Sequence, residues 1–475
     1  MILHPPFPLI SPILTMENRI RIPRQPPPPR PLPTPTIQPT NRLPPHTSDI
    51  YHPYPLLGYK PAIPWGWSFT PIDPGLAKGH VISMSQEPAA HRIFISAAEQ
   101  SADEHAAALI RAYRASHPAA TFAGLAGPAM RAAGCYCFHD MTAKSAMAFA
   151  ALGRIPEALR LLRNLADYLR HEKFDAAVMV DSPALNLPIA KKCQLAGTPV
   201  LYYIAPQTWA WGWRWWRNRR VRKRINRIAC LWPFEEEYFR DRGIRADYVG
   251  HPSFDHLLGV TPSDEDVNRL RDNASPLITL LPGSRRHVIE EVLPGQLDVA
   301  AALAIRHRGI KFVVAASSEE SRTLIEAIIR GRARTLPLRI VEGALNRAAA
   351  IVAADIVLVA SGTVTLEVAY RNAPMIVMYN GSALAYNLIG RWLITTPHLS
   401  IPNILAGREI VPEFMPYYRS VDPIIATAVE WLSTPGKLDK VRHDLAATIQ
   451  PLVKSGAAEN TASILADMLR SSPRK

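Results

Sequence analysis

The chain has 475 residues, 48% of them hydrophobic and 20% charged, and a formal net charge of +14. That length suits two or three domains of an ordinary soluble globular protein. Four cysteines (Cys135, Cys137, Cys193 and Cys230) are too few for a disulfide framework, and no apolar run approaches the roughly 18 residues that span a bilayer.

About half of the 45 prolines lie before residue 90, in runs such as Pro26-Pro27-Pro28-Pro29. Each proline ring removes an N–H and fixes φ, so this stretch forms neither helix interior nor central strand. Residues 1–88 are expected to be a disordered or polyproline-II leader. Two other readings stay open: a partner-binding proline-rich arm, and translation that begins at Met84. The N-terminus is apolar but broken by prolines and lacks a basic start, so a secretory signal is not expected. A reducing cytoplasm fits best.

From residue 91 short apolar runs alternate with helical stretches, the pattern of a parallel sheet covered on both faces. Arg92–Ser96 reads as the first strand and about Asp103–Ala115 as the first helix. A strand at Thr121–Leu125 follows, then a long helix at about Ile155–His171. In that helix Ile155, Leu159, Leu162, Ala166 and Leu169 share one face. Strands at Ala176–Val180, Val200–Ile204, Ile228–Leu231 and Asp247–Val249 complete the half. Gly250, Pro252, Gly259 and Pro262 then break the pattern. This places a first Rossmann-like domain at 89–255 and a second at 256–420. The second has strands at Leu277–Leu281, Lys311–Ala315, Leu338–Val341, Asp355–Val359 and Met375–Met378. Residues 421–475 read as C-terminal helices. The fold class is α/β, two open sheets with a cleft at the carboxyl ends of their strands, where ligands bind in such folds.

The loops after strands hold the candidate chemistry. Ala360–Glu367 follows a buried strand and opens a helix. Ser361, Gly362 and Thr363 let backbone N–H groups approach a diphosphate, and Glu367 can accept hydrogen bonds from ribose hydroxyls. The alternative is a helix start capped by Thr363. Leu280–Arg286 repeats the design, with Ser284 at the turn and Arg285 placed to neutralise a leaving diphosphate, or else a plain surface arginine. Asp181, at the tip of a strand, is a candidate general base or the cap of the next helix. Glu99, Ser101 and Asp103 could hold an acceptor sugar, Asp103 equally being a helix cap. Cys135, Cys137 and His139 would share a strand face, but further metal ligands are lacking.

Between Trp209 and Arg227 tryptophans alternate with cations and no acid intervenes. Trp213, Trp215, Trp216, Arg217, Arg219 and Arg220 suit an anionic membrane interface, where tryptophan sits at headgroup level. The same run would suit nucleic acid, or a solvated helix with its tryptophans in the core. The membrane reading is taken forward and nucleic acid is not expected as a partner.

Read together, eight stretches resemble the lipid-A-disaccharide synthase family, inverting glycosyltransferases of the GT-B type. They are Ala98–Asp103, Val180–Pro183, Tyr203–Trp211, Pro233–Glu235, Gly250–Pro252, Leu281–Arg285, Ala360–Glu367 and Pro402–Arg408. Each is weak alone; their order is specific. The resemblance implies transfer of 2,3-diacylglucosamine from its UDP derivative to 2,3-diacylglucosamine 1-phosphate, with no cofactor and no essential metal. It puts the base on Asp181 and the leaving-group arginine on Arg285. Within the last matching stretch, Asn403 and Arg408 are further substrate-binding candidates. It also implies work on the inner face of the cytoplasmic membrane and leaves a homodimer open. Three positions depart from the family's pattern. Ala98 and Ala102 replace glycines, and Ala184 replaces a second acid, all on the acceptor side.

Overall fold

The computed structural model describes residues 90–139, 155–210, 214–333, 335–381 and 396–471. The leader expected at 1–88 lies outside the described residues.

The first lobe is a seven-stranded parallel sheet in the order β3-β2-β1-β4-β5-β6-β7. Its strands are β1 (Arg92–Ala97), β2 (Thr121–Leu125), β3 (Cys135–His139), β4 (Ala176–Val180), β5 (Val200–Tyr203), β6 (Arg227–Cys230) and β7 (Ala246–Tyr248). Helices α1 (Gln100–Ser116), α2 (Pro128–Ala132), α3 (Ile155–Glu172), α4 (Pro183–Leu195), α5 (Arg214–Arg224) and α6 (Pro233–Arg240) connect them. Alternation along a strand sends side chains to opposite faces. On β1, Ile93, Ile95 and Ala97 join the α1 side of the core, while Phe94 packs with Leu165 and Leu169 of α3. Strand β4 is buried along its whole length, as a central parallel strand covered on both faces must be.

Two short helices, α7 (Pro252–Leu258) and α8 (Asp264–Arg271), follow at the expected break. The second lobe is a six-stranded parallel sheet in the order β10-β9-β8-β11-β12-β13. It comprises β8 (Leu277–Leu281), β9 (Lys311–Ala316), β10 (Leu338–Glu342), β11 (Ile356–Ala360), β12 (Met375–Met378) and β13 (Glu413–Phe414). Its helices are α9 (Arg286–Arg306), α10 (Glu319–Arg332), α11 (Ala344–Ala353), α12 (Val364–Tyr370), α13 (Ile401–Ala406), α14 (Asp422–Ser433) and α15 (Lys437–Ile449). Strand β11 begins one residue later than the sequence suggests. The Asp355 carboxylate instead accepts from Arg271 and from the Leu277 N–H, tying α8 to the start of the central strands β8 and β11. The two-residue β13 has no alternation to announce it.

The last helix, α16 (Ala457–Ser471), returns to the first lobe and packs on α1. Its entry is anchored by the Asp255 carboxylate, which accepts from the Gly456 and Ala457 N–H groups at 2.7 and 3.2 Å. Asn460 also donates to the Val249 carbonyl at 2.9 Å. The helical tail is therefore shared: α14 packs on α9 and α15 on α12 in the second lobe, while α16 belongs to the first. None of the described helices is long and apolar enough to cross a membrane.

Candidate active site

Each sheet reverses its strand order once, between β1 and β4 and between β8 and β11. At such a point the two following loops diverge to opposite faces and leave a crevice. Register brings the loop pairs together. Ala97 lies opposite Val180, so the loops bearing Glu99 and Asp181 leave side by side. Leu281 lies opposite Val359, which does the same for the Ser284–Arg285 and Ser361–Thr363 loops.

The second crevice opens into a cavity of about 640 Å³. Ser284, Arg285, Ser361, Gly362, Thr363 and Glu367 all line it, so these six candidates converge, whereas Asn403 and Arg408 of the same lobe do not line it. Gly283 holds φ +107°, and a Cβ there would sit 2.8 Å from Val288 Cγ1. Gly362 holds φ +148° with open space around it, so conformation alone demands glycine. Thr363 precedes α12 without a side-chain capping bond, so the capped-start reading does not hold; the Thr365 and Leu366 N–H groups donate instead to the Gly362 and Thr363 carbonyls. Arg286 pairs with Glu290, whereas Arg285 has no ion pair among the described residues and stands exposed at the start of α9.

Glu367 sits differently from the expectation. It is 8% exposed and accepts from Arg347 Nε at 2.9 Å, with Arg371 Nε 3.8 Å away. A carboxylate has about four lone-pair directions, so acceptor capacity remains towards the cavity, but Arg347 controls its orientation. Arg347 also lines the cavity. Sequence reasoning missed it because its partner lies one β-strand and a loop away. The first lobe contributes Glu104 to the same cavity, and α7 contributes His256.

In the first crevice Asp181 is half-buried at the tip of β4 and is not among the residues lining the second-lobe cavity. Burial raises its carboxyl above the ordinary carboxylate range; the Ser182 N–H opposes this and the charge of Glu99 adds to it. Glu99 is exposed and precedes the start of α1 without a side-chain capping bond, and Ser101 is exposed in the first turn.

Three expectations need correcting. Asp103 is buried, and its two carboxylate oxygens accept from the N–H groups of Gly127, Ala129 and Met130. It caps the start of α2 rather than its own helix, and has little left for a sugar. Asn403 is fully buried; its side chain bonds the backbone of Ile410 and Val411 and the Glu413 carboxylate, fixing the turn into β13. Arg408 pairs with Asp444 at 2.8 Å on the surface, away from the cavity.

The aromatic–basic run divides in two. Trp209 turns inward, its indole N–H donating to Glu235 at 3.1 Å. Glu235 also accepts from the Leu231 and Trp232 N–H groups, and burial pushes its carboxyl up to about 7. Trp215 and Trp216 point outward at 73% and 49% exposure, with Arg219 over the first ring and Arg220 over the second. They are not core residues. Arg219 is exposed, whereas Arg217 and Arg220 are only partly exposed, so those two are weaker surface cations than expected. Trp213 lies outside the described residues. His251 accepts from the Ser253 N–H, and burial, with His105 beside it, takes its ring down to about 3. The Pro233–Glu235 and Gly250–Pro252 stretches are thus framework. Cys135 is buried on edge strand β3 and its thiol is pushed up to about 12 by burial; Cys137 donates to the Ala126 carbonyl. Among the described residues no three His, Cys, Asp or Glu side chains converge as a metal site.

Two open parallel sheets, each with a switch-point crevice, and a helix that crosses back to the first lobe define a GT-B glycosyltransferase fold. The calicheamicin glycosyltransferase CalG4 superposes with a TM-score of 0.50 at 14% identity, over 81% of this chain and 100% of that one. The UDP-GlcNAc 2-epimerase of Neisseria meningitidis also scores 0.50, at 12% identity over 81% and 100% of the two chains. At such identities the likeness is one of fold. Sequence goes further: residues 93–468 match the family model described as lipid-A-disaccharide synthetase, and the chain belongs to that family. A lipid-A-disaccharide synthase of Neisseria meningitidis serogroup C is 35% identical over 377 residues, 77% of this chain and 95% of the relative.

Proposed function

We propose that the enzyme transfers 2,3-diacylglucosamine from its UDP derivative to 2,3-diacylglucosamine 1-phosphate, forming a β-1,6-linked disaccharide 1-phosphate and UDP. Family membership supplies the reaction. The observation that supports its location is the convergence of Arg285, without an ion pair among the described residues, with the Ser361–Thr363 loop on one cavity that the first lobe also lines through Glu104.

The UDP moiety lies in the second crevice, with its diphosphate against Arg285 and the backbone of the Ser361–Thr363 loop, and its ribose diol towards Glu367. The acceptor 6-hydroxyl gives its proton to the Asp181 carboxylate as its oxygen attacks the anomeric carbon. The bond from that carbon to the diphosphate oxygen breaks, and the charge left on UDP is met by Arg285 and the helix starts. Attack opposite the departing group inverts the anomeric centre. The raised Asp181 carboxyl suits a base, since proton affinity rises with pKa.

Both sugars carry acyl chains, and Trp215 and Trp216 offer the surface that would reach them. We place this face of α5 against the anionic inner surface of the cytoplasmic membrane, with the indoles at headgroup level and Arg219 and Arg220 on the phosphates.

Mass spectrometry of products from defined acylated donor and acceptor tests the proposal. A disaccharide 1-phosphate appearing with stoichiometric UDP supports it. Donor hydrolysis or sugar epimerisation without disaccharide refutes it.

A further inference from the structure

Asp181 and Ser182 both hold left-handed backbone, with φ 51° and 44°. Residues with a Cβ rarely adopt it, and such strain persists only where the surroundings over-determine it. Ser182 does not do so itself: its buried hydroxyl has no hydrogen-bond partner among the described residues.

Three other side chains do. Asn186 Nδ2 donates to the Val180 carbonyl at 2.8 Å and to the Asp181 carbonyl at 2.7 Å. The Tyr202 hydroxyl donates to the same Asp181 carbonyl at 2.6 Å. The Ser96 hydroxyl donates to Asn186 Oδ1 at 2.7 Å, which fixes which way the amide faces. The Asp181 N–H is tied to the Tyr203 carbonyl at 3.0 Å. Ser96, Asn186 and Tyr202 come from β1, α4 and β5, and each is 0% exposed. Burying three polar groups is unfavourable unless each is bonded, and here the bonds close on the peptide that carries the carboxylate.

We infer that Ser96, Asn186 and Tyr202 are positioning residues that lock the Asp181 peptide and thereby aim its carboxylate at the acceptor hydroxyl. The inference rests on Asp181 being the base. A helix start needs only one cap; this arrangement draws on both strands flanking β4, and none of the three side chains bonds the Asp181 carboxylate, which meets only the Ser182 N–H among the described residues.

The test uses the full chain with both acylated substrates. Asn186→Leu lowers kcat about 100-fold, the scale set by misplacing a reacting group by an ångström. KM for both sugars and UDP affinity stay at the wild-type level. Tyr202→Phe and Ser96→Ala, which remove one hydroxyl each, lower kcat about tenfold with the same pattern, and they decide the matter if Asn186→Leu does not fold. Introduced into Asp181→Asn, Tyr202→Phe leaves the residual turnover where it was, because residues acting through one group are not additive. Loss of kcat together with UDP affinity, or a tenfold loss that persists in Asp181→Asn, assigns the trio a structural role and overturns the inference. Wild-type kcat in all three single variants also overturns it. Wild-type turnover by Asp181→Asn alone would instead sink the reading of the base.

Discussion

The two switch-point crevices solve the same topological problem with opposite materials. In the second lobe the loops after β8 and β11 are exposed, and their turns are glycines at positive φ. Their functional groups are the backbone of the Ser361–Thr363 loop and the Arg285 guanidinium, which has no ion pair among the described residues. In the first crevice the loop after β4 takes its positive φ values at Asp181 and Ser182, non-glycine residues, and buried hydrogen bonds hold the Asp181 carbonyl. The Asp103 carboxylate there is already spent on backbone. A flexible polyanion can be gathered by open N–H groups and a long cationic arm. A proton must be taken from one hydroxyl in one direction, and that requires a fixed carboxylate.

The comparison breaks first at Asp181. Asp181→Ala is expected to lower kcat by about 10³-fold, within the range of general-base catalysis. The raised carboxyl also sets the pH profile. The active form is ionised, so turnover falls as pH drops through a pKa above the usual carboxylate value of about 4. A pH–rate profile flat down to that value would place the base elsewhere. Arg285→Ala comes next, with an expected loss of about 10²-fold in kcat/KM, the scale of losing one charge-stabilising donor. Arg285→Lys should restore only part of it, because the fork that grips a phosphate is absent.

A smaller effect separates framework from site. Asp103→Ala leaves three N–H groups at the start of α2 unsatisfied, a cost of about 2 kcal/mol. Thermal unfolding should move down while KM for the acceptor holds. A raised KM with unchanged stability would return Asp103 to the sugar site. The smallest effect concerns α5. Trp215→Ser with Trp216→Ser should weaken binding to anionic vesicles at every ionic strength. Arg219→Gln with Arg220→Gln should weaken it mainly at low salt, where charges are least screened.

The fold was legible wherever the physics is local. Buried parallel strands are continuous apolar runs, and Leu277–Leu281 and Met375–Met378 were read to the residue. The crevice loops followed, because ligands collect at strand ends. What escaped was every role decided by a partner remote in sequence. Asp103 could be read as acceptor ligand or cap, and only Gly127, Ala129 and Met130, more than twenty residues on, settle it. Asn403 matched a family stretch, yet its bonds go to the turn before β13. Arg347 gave no signal at all until Glu367 appeared beside it. The return of α16 to α1 joins segments separated by most of the chain, which no periodicity records.

The division of labour between the lobes is tested most directly by titrating UDP into Asp181→Asn and Arg285→Ala side by side in a calorimeter. The account predicts wild-type affinity for the first and a clear loss for the second. Equal weakening of both, or weakening of Asp181→Asn alone, would contradict it.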